Sequence, residues 1–122
     1  MSTFSYPLAI AATPEGPFQE MEAVVDTGAF YTWVPRSVLE RLGVRPTGSR
    51  RFGLADGSII ERDIAWITIR INGEVSPTIS VFSDEETEPL LGAVTLEEFA
   101  LAADPVNKRL LPMPKLPMLS IG

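Results

Sequence analysis

The stretch IAWITIRINGEVSPTISVF, residues 64–82, limits the folds open to this chain more than any other. Asn72-Gly73 is a two-residue turn signal between two runs rich in β-branched residues, so it predicts an antiparallel hairpin. In the first run Ile67, Ile69 and Ile71 share one face, while Trp66, Thr68 and Arg70 share the other. A second hairpin is predicted in RFGLADGSIIERD, residues 51–63, with Asp56-Gly57 as a type I′ turn needing positive φ at both positions. TFSYPLAIA places Phe4, Tyr6, Leu8 and Ile10 at period two, as in a half-buried strand. After the turn material ATPEGP, the run FQEMEAVV resumes a strand and ends at Asp26. Helix signals are brief. VPRSVLERLGV has Pro35 for a first turn and Gly43 for a stop, and Thr95 with Glu98 forms a candidate capping box. AADPVNKRLLP reads as two short strands around a Pro105–Asn107 turn. Eleven prolines and nine glycines in 122 residues fit many turns and short elements. The pattern is all-β with one or two short helices.

Several chemistries are excluded by composition. The chain has no histidine and no cysteine. Ser-His-Asp and Cys-His catalysis, thiolate chemistry, disulfides and most zinc sites are therefore closed to it. No phosphate-binding glycine loop occurs. A formal charge of −6, with Arg50-Arg51 as a mere pair, gives no positive footprint for nucleic acid. No run is long enough for a membrane span, and the N-terminus lacks the basic and apolar regions of a signal peptide. The expected location is cytoplasmic. Carboxylates remain as the acid–base groups of any enzyme here.

In EAVVDTGAFYTWVP, residues 22–35, an apolar run ends on the carboxylate of Asp26. An ionised carboxylate ending so apolar a run is costly unless something pairs with it or hydrogen-bonds to it. Thr27 and Gly28 suit tight backbone geometry rather than core volume. A bland alternative is a turn aspartate bonding local amides. Trp33 and Trp66 read as core or interface residues, and the acidic run 84–88 reads as a solvated loop with no metal-ligand spacing.

The ordered trio VVDTGA (24–29), LADGS (54–58) and PLLGAVTLEEF (89–99) resembles the retropepsin-like, or retroviral-type, single-domain aspartic proteases and their cellular bacterial relatives. Viral members carry Arg or Asn after the apolar-apolar-Gly motif; this chain has Ala93 and Val94. The resemblance implies a closed-barrel acid-protease fold, one lobe per chain, over residues 1–112. The Pro-rich tail 113–122 is then a candidate part of a dimer interface. Asp26 would be catalytic, with Thr27, Gly28 and Ala29 forming the active-site loop and dimer contact. Leu54, Ala55, Asp56, Gly57, Ser58 and Ile59 would form a flap over substrate. Leu90, Leu91 and Gly92 would support the cleft. Carboxylate-driven peptide hydrolysis needs two carboxyls sharing a proton, and the chain offers a single Asp-Thr-Gly. A homodimer is therefore expected, acting on peptide or protein substrate, with apolar side chains favoured beside the cut. No metal or organic cofactor is implied. The rival is a dimeric β-barrel that binds peptides or partner proteins without cutting them.

Overall fold

A computed structural model describes residues 3–113. Nine strands and two short helices follow in chain order: β1 Phe4–Ala11, β2 Gln19–Val25, β3 Thr32–Pro35, α1 Arg36–Arg41, β4 Gly48–Gly53, β5 Ile59–Ile71, β6 Glu74–Ser83, β7 Leu90–Leu91, α2 Ala93–Glu98, β8 Leu101–Asp104 and β9 Arg109–Pro112. The chain is mostly strand, as its alternation and turn signals predict. The expected tail over 113–122 lies, apart from Met113, outside the described residues.

Seven strands form one sheet in the order β1-β2-β7-β3-β6-β5-β4, and an extra pairing of β1 with β5 closes it into a barrel. Closure falls one strand short of the sheet's end, and the registers show what that leaves outside. β1 pairs with β5 at Thr68–Arg70, whereas β4 pairs with β5 at Ile59–Ile64. β6 reaches along β5 only as far as Ile64. Residues 59–63 of β5 thus pair with β4 alone, and this hairpin projects beyond the barrel.

The barrel interior holds Ile10, Leu39, Ile67, Ile69, Ile71, Phe82 and Leu91, each at most 2% exposed. Full burial of such a side chain contributes roughly 1.5–3 kcal/mol. The isoleucine face of β5 is buried as predicted. On its other face Trp66 is exposed, but Thr68 is buried opposite Ala11, where β1 closes the barrel. That burial depends on a pairing between segments far apart in sequence.

Two local expectations need correction. Asn72 and Gly73 both have positive φ, as a type I′ turn requires, but Asp56 does not; Gly57 alone does, at +88°. The Gly57 amide donates to the Leu54 carbonyl at 2.9 Å, and the Leu54 amide donates to the Ser58 carbonyl at 2.8 Å. This is a three-residue loop, a turn followed by a glycine bulge, rather than a two-residue turn. The Asp56 side chain selects it by accepting hydrogen bonds from the Ser58 amide and hydroxyl at 2.9 and 2.6 Å.

The capping box is the second correction. Helix α2 starts at Ala93 with Gly92 as N-cap and no side-chain cap. Thr95 is wholly buried inside the helix, 2.7 Å from the hydroxyls of both Thr32 and Thr78. A core contact between distant segments has claimed the hydroxyl that the local pattern assigned to a cap.

Candidate active site

Strand β2 delivers Asp26 to the barrel surface, and β7 runs parallel beside it with Val24 opposite Leu90 and Val25 opposite Leu91. The Asp26 amide donates to the Leu91 carbonyl at 3.0 Å, and its own carbonyl accepts from the Ala29 amide at 3.1 Å. The carboxylate is half-buried, and Oδ1 accepts from the Gly28 amide at 2.9 Å. Gly28 allows this contact: a Cβ there would lie 3.2 Å from that same oxygen. Thr27 and Gly28 are exposed, so the turn of the loop faces outward.

Gly92 locks the loop from behind. Ala93 and Val94 donate their amides to the carbonyls of Ala29 and Phe30 at 2.8 and 3.0 Å. The first amides of α2 thereby satisfy the loop that they hold. The Gly92 amide donates to the Thr32 hydroxyl at 3.1 Å, which continues into the buried Thr95 and Thr78 hydroxyls. The approach is so close that a Cβ on Gly92 would sit 2.3 Å from the Tyr31 carbonyl oxygen. Leu91 is fully buried and Leu90 partly so.

The projecting β4–β5 hairpin leans over this loop. Phe52, opposite Ile60, packs its ring 5.0 Å from Trp33 and 6.3 Å from Tyr31. Leu54 joins Gly28, Ala29, Trp33 and Phe52 around a groove of about 430 Å³, while Ile59 is 60% exposed. Ala55, Asp56, Gly57 and Ser58 form the exposed tip. Ser58 holds the Asp56 carboxyl below its ordinary value, first through its hydroxyl and then through its amide. A depressed carboxyl contributes to the turn above its unfolded pKa and stops contributing as pH falls through the lowered folded value. The Ser58 amide resonance should therefore titrate below the usual aspartate range, which an NMR pH series checks.

Trp33 and Phe52 were not legible as groove residues. Trp33 fits a core role in sequence, and Phe52 carries no motif. The acidic run 84–88 is exposed but anchored: Glu85 accepts from the Ser37 amide at 2.8 Å and from its hydroxyl, and Thr87 bonds back to the Asp84 carbonyl. No group of three or more potential metal ligands occurs among the described residues. No helix among them is long and apolar enough to cross a membrane.

The family model for aspartyl proteases matches residues 10–94. No curated protein sequence matches the chain. Among solved structures, the EIAV protease complexed with the inhibitor HBY-793 is 20% identical, with 77% of this chain and 85% of that one covered and a TM-score of 0.62. The retroviral protease-like domain of Ddi1 from Leishmania major is 18% identical, with 95% and 99% covered and a TM-score of 0.56. The simian foamy virus protease is 22% identical, with 75% and 92% covered and a TM-score of 0.53. At these identities the likeness is one of fold, and the fold is retropepsin-like.

Proposed function

The chain belongs to the aspartyl protease family as an aspartic-type peptidase, and from that premise we propose that it works as a homodimeric endopeptidase with one Asp26 from each subunit. The observation that carries this reading is the lone carboxylate. The small pocket around Asp26 is lined by Thr3, Phe4, Val25, Thr27, Ala103 and Pro105, none of them acidic. A two-carboxylate mechanism then needs a second chain, and the exposed Thr27-Gly28 turn is where two copies would meet on a two-fold axis.

Within the pair, one carboxylate accepts a proton from water as the water oxygen bonds to the scissile carbonyl carbon. The other, protonated, hydrogen-bonds to the carbonyl oxygen. Collapse of the tetrahedral adduct breaks the C–N bond, and the nitrogen leaves with the proton that the first carboxyl took from water, so that the pair again holds one proton. Thr27 would bond across the axis, and Ala29 would line the cleft floor. Leu54–Ile59 would close over extended peptide, and Leu90–Gly92 would hold the loop from below. Residues 1–112 would make up the peptidase domain.

Two outcomes test the arrangement. Specific activity should fall on dilution below the dimer dissociation constant, measured with sedimentation over the same concentrations. A monomer with full activity would sink the shared-carboxylate scheme. In the hairpin, Gly57→Val forces a β-branched residue to a φ of +88°, a strain of order 1–3 kcal/mol. We expect kcat/KM to fall about tenfold, since 1.4 kcal/mol is a factor of ten. Thermal stability should change by less than this strain, because a tip outside the barrel can rearrange without disturbing the core.

A further inference from the structure

We propose that the groove beside Asp26 is a specificity site for a cationic substrate side chain, that of Lys or Arg. This deepens the peptidase reading and rests on the groove being its peptide cleft. The groove begins at Gly28 and Ala29 of the Asp26 loop, while Asp26 itself lines the small pocket on the other side of Thr27. Its walls are of two kinds. Trp33, Phe52 and Ile60 give an apolar side, and Ser83, Asp84 and Glu88 give a polar end.

The polar end lacks a partner. Ser83 is only 4% exposed and its hydroxyl has no hydrogen-bond partner; the Nε of Arg62, whose Nη2 reaches Asp84, is likewise buried and unmet. Native proteins rarely leave such a group unmet. Arg62 reaches Asp84 at 3.2 Å, but Glu88 enters no ion pair among the described residues. Two carboxylates thus face one guanidinium, and the balance at the groove is negative. The loop that carries them is anchored: Glu85 is tied to Ser37, and the Thr87 amide and hydroxyl both donate to the Asp84 backbone carbonyl.

One class of side chain satisfies both ends together. The aliphatic stem of Lys or Arg packs along apolar surface while its charged head stays with polar groups. The tip donates hydrogen bonds, which suits the Ser83 hydroxyl oxygen and the free carboxylate, and a cation is attracted to the face of a Trp ring. An anionic side chain would meet two carboxylates. A wholly apolar one would strip water from Glu88 and give nothing back. The expectation of plain apolar preference beside the cut is therefore narrowed to an amphipathic side chain ending in positive charge.

The test uses the wild-type protein and short uncleavable peptides carrying a hydroxyethylene unit in place of the scissile bond. One flanking position at a time carries either lysine or norleucine, which match in length and differ in charge. At one position lysine should bind about tenfold tighter, the scale of a partly exposed ion pair plus a charge-assisted hydrogen bond. The preference should shrink in high salt. It should drop towards unity in Glu88→Gln and weaken in Ser83→Ala, while Glu20→Gln on β2 keeps it. Norleucine bound as tightly as lysine at every position would overturn the proposal. So would a preference that survives unchanged in both groove variants, or failure of both peptides to bind. The peptidase reading is scored separately, by cleavage of the matching natural peptides with wild type and Asp26→Asn. Cleavage without lysine preference removes this inference alone, and lysine preference without cleavage removes the peptidase reading alone.

Discussion

Asp26→Asn should lower peptide hydrolysis by about a thousandfold or more, the scale seen when a residue of the chemical step is lost. The fold and the proposed dimer should survive. Asn keeps a side-chain oxygen where Oδ1 accepts the Gly28 amide at 2.9 Å, and the backbone bonds to Leu91 and Ala29 do not involve the side chain. What Asn cannot do is take up a proton from water. Wild-type activity should be bell-shaped in pH and weighted towards acid, because two close carboxyls lose their protons in two steps and act only between them. The variant should stay inactive across that range. Unchanged cleavage by Asp26→Asn would remove the residue from the mechanism, and a wild-type rate climbing steadily into alkali would remove the shared proton.

The second large effect is expected at Gly92, which lies against the backbone of the Asp26 loop. Gly92→Ala places a Cβ 2.3 Å from the Tyr31 carbonyl oxygen and 3.0 Å from that of Ala29. Both are backbone atoms, so no flexible side chain can swing aside. The strain is steric, not torsional, since Gly92 has an ordinary φ of −92°. Relief requires β7 and the Asp26 loop to part, at the expense of the bonds from Ala93 and Val94 to the loop carbonyls. We expect a loss of about 3 kcal/mol or more in denaturant unfolding, at the upper end of overpacking effects. Activity should fall further than the unfolded fraction explains. A Gly92→Ala protein with wild-type stability would show that the loop is not held from behind in this way.

Much of the fold was legible because it rests on local chemistry. Asn72-Gly73 names its own turn, since these two residues adopt positive φ cheaply, and the flanking alternation assigns the isoleucines of β5 to the core. Asp56 marked a second hairpin, but its side-chain bonds to Ser58 chose a bulged loop over the tighter turn. Thr95 was misread for a related reason: its hydroxyl suits a cap locally, and two threonines 63 and 17 residues away claimed it.

From residue types and their order alone came the all-β class, the exclusion of histidine and thiol chemistry, and the choice of Asp26 as the residue to watch. These follow from the steric preferences of single residues, from period-two alternation and from which functional groups are present at all. Only the tertiary structure decided what surrounds that carboxylate. The parallel pairing of β2 with β7 carries Leu91 to the Asp26 amide across 65 residues. Closure of the barrel at Thr68 frees the β4–β5 hairpin to lean over the loop and bring Phe52 against Trp33. The acidic run became one end of a groove only once β6 had set Ser83 beside it. Each of these is a long-range contact, fixed by how the sheet closes, and no local pattern encodes the register at which distant strands meet.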